Sequence, residues 1–243
     1  ERFKITEFVI EWLTQNYQQI NLSLTPQFED IRPFLWQNYH SSNLEDKFRV
    51  DLCYSSYLDI SSLREHEEEL QSDLFKNLET VRKRNIREAR EIQARTVAEG
   101  DGELFTHYYA AMMSSKGVPQ DKVKQDKLTR MINGLLLQNK VSVYKTFNSE
   151  KKVIYISIFG FDRKRSYYLF GTPTENNHDR YKGSIAFWDA FIDQAKKGIT
   201  VVDLEGVNSP SRGWFKLSFG GTLVPYFKLN WSRPKNINIF NIQ

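Results

Sequence analysis

VVDLEGVNSPSRGWFKLSFGGTLVPYF, residues 201–227, is the stretch on which the fold turns. It begins inside a short apolar strand, residues 199–204, whose end is flanked by Asp203 and Glu205. A glycine-bearing turn follows, then a short helix, and the segment closes on a strand over residues 222–229.

Working outward, the residues before this stretch read as a helix over 183–196, closed by Gly198. A loop at 171–180 precedes it. Before the loop come three strand-like runs, 141–147, 153–161 and 166–170. The turns between them, 148–152 and 162–165, are short and polar, as an antiparallel meander requires. Helices are expected near 102–116 and 121–138, separated by Gly117 and Pro119. From Ser61 to about Ile92 a charged helical stretch opens on a possible Ser62–Glu65 capping box. It carries only a thin apolar stripe of Leu74, Leu78, Val81, Ile86 and Ile92. The first residues read as a helix over 3–20, a short strand at 21–25 stopped by Pro26, an apolar turn or helix at 30–39, and a strand at 48–57. The fold class is therefore α/β in the broad sense, an α+β arrangement around a mixed sheet. Neither internal repeats nor low-complexity linkers interrupt it.

The composition fits such a domain. Of 243 residues, 40% are hydrophobic, 26% charged and 14% aromatic, with Phe (17) and Tyr (12) suited to sheet surfaces and a groove. The net charge of +4 suits an anionic ligand but falls short of a nucleic-acid footprint. The single Cys53 excludes an intrachain disulfide framework and fits a reducing, cytoplasmic compartment. His40, His66, His107 and His178 have no metal-ligand spacing, so no metal is expected. No apolar run reaches the roughly 20 residues that span a bilayer.

The order of meander, loop, helix, strand, helix and strand resembles the core of GNAT acetyltransferases. Residues 201–227 resemble more narrowly the C-terminal signature of the FemABX-like acyltransferases, in which a strand ending in Asp leads to a Phe-Lys pair and a Phe-Gly-Gly triplet. Here these are Phe215-Lys216 and Phe219-Gly220-Gly221. RKRNIREAR at 82–90 resembles the basic helix that starts the family's catalytic domain, and DIRPFLWQNY at 30–39 resembles a segment near the end of its first domain. The resemblance covers roughly residues 60–230. It implies a catalytic GNAT domain over 61–243. With Glu1 where a starting Met is usual, it also gives the expectation that residues 1–60 are the remnant of a first GNAT-like domain.

Acyl transfer to an amine passes through a tetrahedral oxyanion and needs a cation or donor at that oxygen, a proton acceptor, and positive charge for the donor's phosphates. The resemblance places the phosphates over Arg180, Lys182, Gly183 and Ser184, where a helix begins. Ile185 departs from the family's Gly or Ala. Without the family, the same residues read as an ordinary helix entry. Lys216 is the candidate for charge stabilisation, with Phe215 beside it; alone, the pair reads as a snorkelling Lys next to a buried Phe. Arg212 shares its helix face if that segment is helical. Asp203 and Glu205 read either as proton acceptors or as caps of the next turn. Tyr168, with Tyr167 and Tyr181, reads as ligand-facing or as packing. The arginines of 82–90 read either as an approach for a nucleic acid or a nucleotide-sugar phosphate or, because they alternate with Glu88 and Glu91, first as a solvated face with intrahelical ion pairs.

The resemblance implies an N-acyltransferase that carries an acyl group from acyl-CoA, a co-substrate rather than a resident cofactor, to a small amine such as an amino sugar or cell-envelope precursor. The alternative donor is aminoacyl-tRNA, with a peptidoglycan-precursor peptide as acceptor. A third reading keeps the fold without catalysis, as a ligand- or partner-binding module.

Overall fold

The computed structural model describes residues 1–65, 68–174 and 179–233. Its helices are α1 (Arg2–Asn16), α2 (Arg32–Trp36), α3 (Ser62–Glu65), α4 (Asp73–Asn77), α5 (Thr80–Glu91), α6 (Gly102–Ser115), α7 (Lys122–Leu137), α8 (Lys182–Lys196) and α9 (Pro210–Leu217). Its strands are β1 (Gln19–Ser23), β2 (Arg49–Asp59), β3 (Arg95–Val97), β4 (Val141–Phe147), β5 (Val153–Phe161), β6 (Arg165–Pro173), β7 (Val201–Asp203) and β8 (Thr222–Ser232). The chain forms two compact units, residues 56–223 and residues 1–55 with the closing strand from 224.

In the larger unit the strand order runs from the end of β2 through β7, β6, β5 and β4 to β3. The β4–β5–β6 meander is antiparallel, as its short polar turns require. β7 lies parallel to β6 because α8 intervenes as a crossover. The mixed sheet expected from the sequence is therefore present. α8 lies on one face, and its Ile185, Phe187, Trp188 and Phe191 are wholly enclosed with Phe159, Val202 and Phe219. On the other face, Phe105 of α6 and Ile132 of α7 pack with Val143, Ile156 and Ile158. Each such side chain taken fully from water contributes about 1.5–3 kcal/mol before chain entropy is set against it.

A bulge sets the faces of β6. Phe159 opposes Tyr168 and Ile158 opposes Phe170, which leaves Leu169 unpaired. Tyr168 consequently joins Phe159 and Phe187 on the α8 face, while Phe170 packs with Phe105 and Tyr109 on the other.

The stretch expected to be one charged helix from 61 to 92 is broken. Ser72 accepts a hydrogen bond from the Phe75 N–H and starts α4, and extended backbone at Leu78 separates α4 from α5. Leu63, Leu74, Phe75 and Leu78 are buried, so these pieces fold over α8 rather than standing in water. Ser62 accepts from the Leu74 N–H across the break. β3 was not foreseen; it pairs with β4, Arg95 opposite Phe147.

In the smaller unit β1 is antiparallel to β8, Ile20 opposite Trp231 and Leu22 opposite Leu229. Ile10, Phe34 and Phe48 complete that core. The sequence reading drew its boundary at residue 60 and kept the last strand with the catalytic part. The compact units instead divide between 55 and 56, inside β2, and the strand from 224 goes with the first residues. The reason is packing: Leu229 and Trp231 are buried in the same cluster as Ile10 of α1 and Ile20 of β1.

Candidate functional site

β6 and β7 hold together for three pairs, Arg165 with Val201, Ser166 with Val202 and Tyr167 with Asp203. β6 then continues along β5 to Pro173, while β7 ends. The parallel strands part at Tyr167 and Asp203, and the loop after β7 together with α9 brings polar side chains to this opening.

Asp203 is buried, and its Oδ1 accepts the Glu205 N–H at 2.8 Å. That bond holds the turn in which Glu205 adopts φ +61°, a left-handed conformation that disfavours a side chain. Glu205 is exposed. Its carboxyl is nevertheless pushed above the ordinary glutamate range, first by loss of water and then by the charge of Asp203. The Asp203 carboxylate thus acts as the turn's cap, and Glu205 is the carboxyl offered to the opening.

Lys216 arises from the last turn of α9, which the sequence left conditional and which forms as a helix. Its Nζ donates to the Gly206 carbonyl at 3.1 Å and sits 5.3 Å from the centre of the Tyr168 ring. Burial holds its pKa below the usual lysine value. Glu205 opposes that shift, Arg212 adds to it and Asp203 opposes it. Arg212, one turn earlier on α9, also lowers the Tyr168 pKa slightly against a large upward push from burial. Lys216, Arg212, Tyr168, Asp203 and Glu205 are therefore electrostatically coupled. The Tyr168 hydroxyl turns to Tyr155, 3.4 Å away, and a Cβ on Gly171 would strike both hydroxyls.

Phe215, beside Lys216, leads to the second cluster. A Cβ on Gly183 would stand 3.2 Å from Phe215 Cζ, so this glycine admits the ring. Gly183 and Ser184 lie in the first turn of α8 after Lys182. Arg180 is exposed, and its carbonyl accepts from Asn85 Nδ2 at 3.2 Å. Burial lowers the Lys182 pKa, with Asp179 opposing. Ile185 is enclosed in the core, so its bulk does not crowd the helix start.

Sequence reasoning took Arg82 only as part of the basic run 82–90 and put a solvated face ahead of a phosphate-approaching role. Arg82 lies 5% exposed, with Nε donating to Ser218 Oγ at 2.8 Å and Nη1 to Ser184 Oγ at 2.6 Å. The signal was its helical spacing with Ile86 and Ala89, which are both buried. The ion pairs expected within this helix do not form among the described residues. Arg90 instead reaches Glu69 and Asp189, and Arg87 lies 5.3 Å from the Phe75 ring centre.

His66 and His178 lie outside the described residues. Among the described residues no cluster of His, Cys, Asp and Glu could hold a metal ion, and no helix is long and apolar enough to cross a membrane. The smaller unit has a separate pocket of about 800 Å³, lined by Trp36, Asn38, Tyr39, His40, Ser41 and Asp46; it contains none of the candidate catalytic or binding residues read from the sequence.

No family model matches the chain, and no curated protein matches its sequence. Solved structures do. FemX aligns with a TM-score of 0.53 at 9% identity, over 74% of this chain and 61% of that one. L-PGS from Bacillus licheniformis gives 0.55 at 7%, over 96% and 73%. A tandem GNAT protein from the clavulanic acid biosynthesis pathway gives 0.51 at 8%, over 96% and 69%. The chain spans 61% of the FemX length. Its fold is FemABX- and GNAT-like, at distant sequence identity, as the resemblance of residues 201–227 implied.

Proposed function

We propose that the chain is an N-acyltransferase that moves an acyl group from acyl-CoA to an amine, with an amino sugar or another cell-envelope precursor as acceptor. The observation that carries this reading is the opening where β6 and β7 part, with Lys216 and Glu205 gathered beside it. The amine nitrogen attacks the thioester carbonyl, a C–N bond forms, and charge collects on the carbonyl oxygen. The Lys216 ammonium stabilises that charge, seated on the Tyr168 ring and the Gly206 carbonyl. Glu205 takes the proton the amine loses, directly or through water, and its raised pKa makes it a better base than an ordinary glutamate. The C–S bond breaks and the thiolate leaves. Asp203 holds the Glu205 turn, Phe215 spaces Lys216 from Gly183, and Arg212 lies where an anionic acceptor gains from it. The donor's phosphates rest on the start of α8 at Arg180, Lys182, Gly183 and Ser184, where free N–H groups and the helix dipole favour anions.

A second reading, with aminoacyl-tRNA as donor, draws on the Phe215-Lys216 pair. In the tRNA-using members of the family that the sequence resembles, this pair is associated with the transferring end of the donor. Titration calorimetry of acetyl-CoA and of a charged tRNA, each at two salt concentrations, separates the readings. Micromolar acetyl-CoA binding that Gly183→Glu abolishes supports the first. No CoA binding beside strongly salt-dependent tRNA binding transfers the case to the second. A chain that binds neither is a non-catalytic module.

A further inference from the structure

Among the described residues, Arg82 is a positive charge in a buried side chain without a negative partner. It stands in the first turn of α5 and bonds to Ser184 in the first turn of α8, so two positive helix ends share its neighbourhood. The Phe215, Trp214 and Phe219 ring centres lie 4.6, 5.4 and 5.9 Å from its Cζ. Among the described residues no carboxylate pairs with it, and Nη2 makes no hydrogen bond. What faces it with opposite sign is the C-terminal end of α9 at Ser218, worth at most about half a charge. Burial pushes its pKa down with no charge acting against it. Buried charges are ordinarily paired or bound to something.

A purely structural clamp explains this arrangement poorly. Without Arg82 the Ser218 hydroxyl still donates to the Phe215 carbonyl at 2.6 Å, and Ser184 Oγ still accepts from Asn85 Nδ2 at 3.2 Å. Neither serine needs the guanidinium.

We infer that Arg82 is an anion-binding residue, and that its Nη2 and the first-turn amides of α8 together take a phosphate group of the donor. The identity of the donor rests on the acyl-transfer reading; the anion site does not. Because the guanidinium lies against Phe215, a bound phosphate also steadies the residue next to Lys216. Arginine suits this role through its planar fork of donors.

The test is calorimetry and thermal unfolding of the whole chain with inorganic pyrophosphate. Wild type is compared with Arg82→Met, Arg82→Lys and, as a charge control on the same helix, Arg87→Met. Wild type and Arg87→Met are expected to bind and to melt higher with pyrophosphate. Arg82→Met is expected to bind at least about tenfold more weakly, as loss of a charge-assisted hydrogen bond implies, while its ligand-free melting temperature does not fall. Arg82→Lys is expected between them in affinity. The inference is overturned if wild type does not bind, or if Arg82→Met binds as tightly as wild type. It is also overturned if affinity in both Arg82 variants merely follows lost stability. Acetyl-CoA and a tRNA acceptor-stem oligonucleotide complete the experiment. Arg82-dependent binding of either names the donor. Arg82-dependent pyrophosphate binding without either keeps the anion site and removes the acyl-donor reading. Acetyl-CoA bound equally by wild type and Arg82→Met does the reverse.

Discussion

Arg82 and Arg90 stand about two turns apart on α5 and keep opposite company. Arg90 grips Glu69 through Nε at 2.5 Å and Nη2 at 2.8 Å, and reaches Asp189 on α8 at 2.5 Å. Arg82, more deeply buried, has two hydroxyls and three rings. Both join α5 to α8, but of the two only Arg90 has its charge answered by carboxylates among the described residues. The same residue on the same helix is structural where its charge is answered and receptive where it is not.

The hardest blow to this contrast falls on Arg90. Arg90→Met leaves the half-buried Asp189 carboxylate with the Thr96 N–H but no cation, and is expected to cost about 2–3 kcal/mol in urea unfolding, below the usual figure for a fully buried pair broken from one side. The loss also depends on pH. Burial already raises the Asp189 pKa in the folded chain. A group whose folded pKa exceeds its unfolded value gives stability below the unfolded value, near pH 4, and loses it as pH rises through the folded value. The deficit of Arg90→Met should therefore be smallest below about pH 4 and grow above it. A deficit under about 1 kcal/mol at neutral pH would erase the distinction between the two arginines.

Lys216→Ala sharpens the contrast from the functional side. Turnover with whichever donor binds is expected to fall about a hundredfold, with little change in unfolding midpoint, because the side chain is only partly buried and the loss is of transition-state charge. Unchanged turnover removes Lys216 from the chemistry.

Glu205→Gln comes next, at about tenfold in rate, less than the hundredfold or more usual for a general base because water can replace this one. Wild-type activity should rise with pH through a Glu205 value above the ordinary 4.5, as the base loses its proton. It should fall again through a Lys216 value below the ordinary 10.5, as the ammonium is lost. The glutamine variant should lack the rising limb; if the limb persists, another residue is the base.

The meander, α8 and the strand at 201–203 were legible because apolar period and turn composition agree there. The face on which Tyr168 sits was not. Ser166, Tyr168 and Phe170 alternate as if they shared one side, and only the extra Leu169 sends Phe170 to the other. α5 misled for a related reason: its charged residues suggested a solvated face, yet Arg82 lies on the buried stripe of Asn85, Ile86 and Ala89. Residue type outweighed residue position. Of the site, Lys216, Phe215 and the start of α8 were picked out through the resemblance, and Asp203 proved to cap the turn, one of the two roles its place allowed. No local pattern announces Arg82 as unpaired, since pairing is settled by chain about a hundred residues away.

Glu205 holds a conformation that glycine would adopt more cheaply, and such a φ costs a side chain on the order of 1 kcal/mol. Glu205→Gly should therefore make the protein slightly harder to unfold while impairing it as a catalyst, if the carboxyl does what is proposed. Sequences selected only to stay folded would drift toward glycine at this position. One that keeps glutamate there forgoes stability in this turn, and a stability-guided redesign that corrects the backbone would remove the proposed base.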